Sequence, residues 1–198
     1  MPKKCIMIKT MKHGVTLSGY ILAVVFCLAS SRGNSKSNVN VPTEYCEELV
    51  KLAEEGNAEA QYNLGYMYMN GLGVNPDTAE CFKWYKKASE GGMYKAQYYL
   101  GYMYVNGIGV NQNVNEGIKW YEKSAEQDFE GAQYNLAEIY DNGVYVERDI
   151  RKAVNLYKRA VEHNYAPAQL NLGICYLKGD GVIQDEKEGV RLIWGFFF

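Results

Sequence analysis

From residue 60 onward, apolar and small side chains recur with two periods at once. Within a short window Ala60, Leu64 and Tyr68 stand at i, i+4 and i+8, which places them on one face of a helix, here named helix A. Along the chain the same trio returns every 36 residues, as Ala96, Leu100 and Tyr104, then Ala132, Leu136 and Tyr140, then Ala168, Leu172 and Tyr176. The phrases that carry it are Ala60-Gln61-Tyr62-Asn63-Leu64, Ala96-Gln97-Tyr98-Tyr99-Leu100, Ala132-Gln133-Tyr134-Asn135-Leu136 and Ala168-Gln169-Leu170-Asn171-Leu172. A fold whose units repeat this strictly is a stack, in which each unit covers its neighbour's apolar face and no single closed core exists. Alanine at the first place lets two backbones approach, and leucine fills the interface, worth about 1.5–3 kcal/mol when buried. Tyrosine at the third place adds apolar area but asks for a partner for its hydroxyl.

The punctuation has the same period. Gly71, Gly107, Gly143 and Gly179 stop helix A in one register, where a left-handed cap suits glycine. Three places later come Val74, Val110, Val146 and Val182, which read as plugs beneath the next helix. Asp77, Asn113, Asp149 and Asp185 announce that next helix, B, by offering oxygens to its first free amides. Glu80, Glu116 and Glu188 follow three residues on and predict capping boxes, a pattern that Lys152 breaks. Helix B continues with Trp84-Tyr85, Trp120-Tyr121 and Leu156-Tyr157, then Lys87-Ala88, Lys123-Ser124 and Arg159-Ala160, whose cations complement the helix dipole. Upstream, the stretch from Glu44 to Glu55 falls in register with helix B and ends at Gly56, as a half-repeat that would cap the stack.

The run Leu64-Gly65, Tyr68, Gly71, Gly73-Val74, Asp77, Trp84-Tyr85 and Lys87-Ala88 closely resembles the Sel-one-like repeat, a relative of the tetratricopeptide repeat. Repeat two matches through Leu100-Gly101, Tyr104, Gly107, Gly109-Val110, Trp120-Tyr121 and Lys123. Repeat three departs at Ala137 and Tyr145, where the pattern has glycine, and at Leu156, where it has tryptophan. Repeat four keeps Leu172-Gly173, Tyr176, Gly179, Gly181-Val182 and Asp185, then loses the aromatic pair to Leu192-Ile193. The resemblance implies an all-α fold: an α/α solenoid, wound as a right-handed superhelix of two-helix repeats with a period of 36 residues. It also implies an adaptor that assembles protein complexes or grips a partner.

The predicted organisation is a signal peptide over 1–31, a flexible linker over 32–43 and a capping half-repeat over 44–57. Repeats follow at 58–93, 94–129, 130–165 and 166–198, the last incomplete or truncated. Lys3, Lys4, Lys9 and Lys12 precede an apolar stretch from Val15 to Ala29, and Ala29, Ser30 and Ser31 follow it, the order of a cleavable export signal. Met11 would give the leader a more typical short basic start. The apolar run is short of the ~20 residues that span a bilayer, so the membrane is expected only through the leader before cleavage, and the mature chain is expected to be secreted or periplasmic. Arg32 to Thr43 is rich in Ser, Asn and Lys without an apolar period, as a linker is.

On helix A, two residues turn the backbone by ~200°, so positions 62 and 66 lie well away from the Ala60, Leu64 and Tyr68 face. They read Tyr62 and Tyr66, Tyr98 and Tyr102, Tyr134 and Glu138, then Leu170 and Ile174, a strip aromatic over two and a half repeats. Two readings stand side by side. The strip lines the concave inner surface as a groove for a protein or peptide, because rigid amphipathic tyrosines make good anchors. Alternatively, several of these tyrosines pack between neighbouring helices A.

Composition narrows the chemistry. The whole chain has a formal charge of −2, and without residues 1–31 it has 17 basic against 23 acidic side chains. No basic stripe is available to displace counterions from phosphates, which argues against nucleic acid. Beyond the leader His163 is the only histidine, in the turn after helix B, with no cysteine or carboxylate at ligand spacing. The Gly-x-Gly turns lack the Lys-Ser/Thr of a phosphate loop. No catalytic group, cofactor or metal is expected, and the role is non-enzymatic; a cell-envelope hydrolase built on the repeat frame and a fragment of a longer array are the alternatives. Cys46, Cys81 and Cys175 share no register and are expected as free, mostly buried thiols, with a Cys46–Cys81 bridge the other option. Phe196, Phe197 and Phe198 fall where small and polar residues stood before, either as the scar of a truncated array or as an aromatic latch.

Overall fold

The computed structural model of the chain describes residues 43–197, with side chains over residues 47–195. Among the described residues there are nine α-helices and no strand: α1 Thr43–Glu54, α2 Ala58–Asn70, α3 Thr78–Glu90, α4 Tyr94–Asn106, α5 Val114–Glu126, α6 Glu130–Asn142, α7 Ile150–Glu162, α8 Ala166–Lys178 and α9 Glu186–Phe197. Helices A are α2, α4, α6 and α8, and helices B are α3, α5, α7 and α9. Within each series the starts lie 36 residues apart. Each helix packs on its neighbours in sequence, most extensively A on B within one repeat, so the chain is an α/α solenoid of two-helix repeats. The last helix B forms although Leu192 and Ile193 replace its aromatic pair. The leader and nearly all of the linker lie outside the described residues, as do the side chains of Cys46 and of Phe196 to Phe198.

Each A-to-B turn is fixed by two bonds that the sequence pattern supplies. Gly71, Gly107, Gly143 and Gly179 are left-handed, with φ of 66°, 67°, 62° and 71°, and donate to the carbonyls of Met67, Met103, Ile139 and Cys175. The N–H groups of Asp77, Asn113, Asp149 and Asp185 then reach back to the carbonyls of Tyr68, Tyr104, Tyr140 and Tyr176, at 2.8–3.1 Å. That second bond corrects the capping-box expectation. The cap residues accept from the helix, as Asp77 does from Ala79 and Glu80, but their own N–H groups are already taken. Glu80, Glu116 and Glu188 instead pair with Lys83, Lys119 and Arg191 at 3.0, 2.9 and 2.6 Å.

Lys87, Lys123 and Arg159 stand in the last turns of their helices B, as the dipole reading expects, and make further contacts there. Lys87 and Lys123 lie over the rings of Trp84 and Trp120, 4.3 and 4.0 Å from the centroids. Where Leu156 removes the ring, Arg159 leaves its own helix and donates to the Ala125 carbonyl (2.5 Å) and to Asp128 (2.8 Å) in the preceding repeat. Asp128 sits at φ +60°, in the turn register that Gly56 and Gly92 fill elsewhere, and the Arg159 bond holds its carboxyl below the usual range. The bond thus helps hold a left-handed conformation that costs an L-residue about 1–2 kcal/mol.

Two further devices bind one repeat to the next. In three of the four copies the glutamine of the repeated phrase is buried and donates across the B-to-A turn: Gln61 to the Ala53 carbonyl at 2.9 Å, Gln97 to Ser89 at 3.3 Å, Gln133 to Ala125 at 3.5 Å. It adds a second donor to a carbonyl in the last turn of helix B that already accepts a backbone N–H from the turn, and so ties the next helix A to that turn. The tyrosine of helix B, Tyr85, Tyr121 or Tyr157, is fully buried between its own helix A and the next one. Asn135 donates to the Tyr121 hydroxyl at 3.2 Å and Asn171 to the Tyr157 hydroxyl at 3.1 Å. Side chains are therefore shared across the seams, as a stack requires.

Candidate functional site

The strip of positions 62 and 66 divides into two columns. Tyr62, Tyr98 and Tyr134 are half-buried and committed to other rings. Tyr62 stacks on Tyr85 at 5.6 Å; Tyr98 meets Tyr121 at 5.7 Å and Phe129 at 5.2 Å; Tyr134 meets Tyr157 at 6.0 Å and Tyr165 at 5.3 Å. Burial pushes the hydroxyl pKa of each upward. Tyr66, Tyr102 and Glu138 form the other column. Tyr66 is half-buried, Tyr102 is 41 % exposed, and Glu138 accepts the Tyr134 hydroxyl at 2.8 Å. The packing reading thus describes the first column; the second carries no such ring contacts among the described residues, and its Tyr102 is exposed.

The second column opens into a cleft because one turn is built differently. In repeat two Gly109 has φ +68°, and a Cβ there would lie 2.1 Å from the Thr78 carbonyl oxygen at the start of the preceding helix B. No side chain fits that approach. Repeat three has Tyr145 in this register, so its turn cannot close in the same way. The N–H groups of Leu72, Ile108 and Asp180 bond the carbonyls of Met67, Met103 and Cys175, but in repeat three the turn keeps the Gly143–Ile139 bond, 3.2 Å, without that second one. Val144 and Tyr145 are left 74 % and 52 % exposed.

The displaced turn walls an open cleft of about 340 Å³ between repeats two and three. Tyr102, Val105 and Asn106 of α4 face Glu138, Ile139 and Asn142 of α6 across it, with Tyr121 and Asn135 also lining it. Tyr102 and Glu138 are the expected site residues that the structure brings together here; Tyr66 belongs to the same column one repeat away. Tyr145, Asn106, Asn135 and Asn142 were not singled out for binding from the sequence. A signal was present, since Asn70, Asn106 and Asn142 recur at the repeat period and Tyr145 breaks the glycine pattern.

Several acceptor oxygens stand open in the cleft. Asn106 spends one amide N–H on the Tyr102 carbonyl at 2.8 Å, and Asn135 spends both of its own on the hydroxyls of Tyr98 and Tyr121 at 3.4 and 3.2 Å. Their carbonyl oxygens remain open. Glu138 has no ion-pair partner among the described residues. Among the described residues no three His, Cys, Asp or Glu side chains group as metal ligands. Cys81 and Cys175 are free and buried, and burial pushes their thiols up to about 12 and about 11, far from reactivity at neutral pH. No described helix is long and apolar enough to cross a membrane.

A model of the Sel1 repeat matches residues 58–93, 95–129, 131–165 and 166–193, in phase with the four helix pairs. The chain belongs to the Sel1 repeat family. Members of this family are in general protein-interaction scaffolds, and the fold is typically non-enzymatic. Among solved structures, a Sel1 repeat protein from Oxalobacter formigenes is 34 % identical, with a TM-score of 0.68 over 76 % of this chain and 68 % of that one. The protein c5321, a protective antigen of uropathogenic Escherichia coli displaying the same repeat fold, is 29 % identical, with a TM-score of 0.79 over 96 % of this chain. This chain spans 40 % of that protein's length. No curated protein matches the sequence.

Proposed function

We propose that this Sel1 repeat protein is a secreted or periplasmic scaffold that holds a protein or peptide partner along the open column of its A helices. The observation that carries the reading is the split of the strip: the stack commits Tyr62, Tyr98 and Tyr134 to other rings, whereas Tyr66 and Tyr102 make no such ring contact among the described residues, and Tyr102 and Glu138 border a cleft. Amphipathic rings held on rigid helices bind at low entropic cost. Export is supported by the basic, apolar and small-residue order of residues 3–31. The role needs no reaction of the chain's own, and neither a cofactor nor nucleic acid.

Pull-down from the envelope fraction of the exporting cell, with the wild type beside a Tyr66→Ser/Tyr102→Ser variant, tests the proposal. One stoichiometric protein is expected with the wild type and lost with the variant, while both stay equally helical. Equal recovery by both, or a chain found only in the cytosolic fraction, contradicts it.

A further inference from the structure

We propose that the cleft between repeats two and three takes an arginine side chain presented by an exposed segment of the partner, with Glu138 as its counter-ion; this rests on the scaffold reading above. The inference follows from which polar atoms are already used. Asn106 donates one N–H to the Tyr102 carbonyl at 2.8 Å, and its own carbonyl oxygen is open to a ligand. Asn135 spends both N–H groups on tyrosine hydroxyls, which leaves only its oxygen. Glu138 brings a charge that no cation of the described chain pairs, and its bond from Tyr134 at 2.8 Å fixes the carboxylate in place. The cleft thus presents three oxygen acceptors, one of them anionic, beside the exposed aromatic side chains of Tyr102 and Tyr145.

A ligand that satisfies such a site carries several donors, a positive charge and a flat face. The guanidinium of arginine has five N–H donors in a planar fork, stacks on aromatic rings and is weakly hydrated, which lowers the cost of entry into a half-buried cleft. The ammonium of lysine is a hydrated point charge with three donors and no face to stack. An anionic ligand would meet Glu138 and the carbonyl oxygens, and an apolar one would leave them without partners. Charge balance agrees, since the chain beyond residue 31 carries 17 basic against 23 acidic side chains. The other repeats lack the anion: the register of Glu138 holds Tyr66, Tyr102 and Ile174. The site is therefore singular within the array and would set the register in which a partner lies along it.

The test is selection of a random dodecapeptide phage library on the full chain, followed by titration of the enriched peptides against wild type and Glu138→Gln. Glutamine keeps an oxygen for the Tyr134 hydroxyl, so the fold is retained and only the charge is lost. Enriched peptides are expected to share an arginine, to bind about tenfold more weakly to Glu138→Gln, and to lose affinity when citrulline or lysine replaces that arginine or when salt is raised. Peptides without a basic residue, bound equally by Glu138→Gln but lost with Tyr66→Ser/Tyr102→Ser, would overturn this proposal and leave the scaffold reading standing. No enrichment of any peptide would overturn both.

Discussion

The seam between repeats one and two and the seam between repeats two and three are built from the same positions with different chemistry. In the second, the buried Tyr121 hydroxyl receives the Asn135 amide at 3.2 Å, and the third seam repeats this with Tyr157 and Asn171 at 3.1 Å. In the first, the residue in the asparagine register is Tyr99. Its ring lies 5.3 Å from that of Tyr85 at an interplanar angle of 14°, and the Tyr85 hydroxyl is buried without a partner. Stacking is worth about 0.5–1.5 kcal/mol beyond area burial, whereas an orphaned hydroxyl costs about 1–3 kcal/mol. One seam is closed by apolar contact at a polar cost, and the other two are locked by a directional bond. A repeat array tolerates this because each interface contributes separately to the stability of the stack.

Alkaline titration should break the first seam hardest. Burial raises the pKa of Tyr85 far above its ordinary 10.0 and that of Tyr121 and Tyr157 likewise, with the asparagine bonds of the latter two acting in the opposite direction. A folded-state pKa above the unfolded one gives stability that is complete below the unfolded value and lost as pH rises past it. Helicity followed by circular dichroism is therefore expected to fall above pH ~10, and Tyr85→Phe is expected to move that fall to higher pH. An unchanged alkaline midpoint in Tyr85→Phe would show that its hydroxyl is solvated.

Asn135→Leu removes the donor to Tyr98 and Tyr121 together and leaves a buried hydroxyl unpaired, at an expected cost of about 2–3 kcal/mol in urea unfolding. The paired substitutions Tyr157→Phe and Tyr85→Phe give smaller effects of opposite sign. The former should cost about 1 kcal/mol and the latter should cost nothing or stabilise by a similar amount, because it deletes a hydroxyl that has no partner. Equal losses in the two would erase the distinction between the seams.

The architecture was open to reading because it rests on period. Ala60, Leu64 and Gly71 each depend on neighbours within one helix or turn, and four in-phase copies make the local signal global. What the sequence withheld depends on how the turns close and on contact between repeats. The Asn113 N–H is spent on the Tyr104 carbonyl nine residues back, which removed the donor that Glu116 was expected to meet. Gln97 stood in plain view in the repeated phrase, yet its bond to the Ser89 carbonyl requires knowing how tightly the B-to-A turn closes. Tyr145 was visible as a break in pattern, but its consequence appears only beside Gly109, whose missing side chain makes room for the Thr78 carbonyl. The site was half legible for the same reason. Positions 62 and 66 share a helix face, and only the neighbouring rings of Tyr85, Tyr121 and Tyr157 decide which of them is covered.

The division of the strip into a packed column and an open one is tested most directly by the unfolding free energies of Tyr98→Ser and Tyr102→Ser, measured in urea side by side. Tyr98 meets Tyr99, Tyr121 and Phe129 within 5.1–5.7 Å, and its loss is expected to cost about 2–4 kcal/mol. Tyr102, which borders the cleft, is expected to cost no more than about 0.5 kcal/mol. Equal losses at the two positions, or the larger loss at Tyr102, would contradict the account.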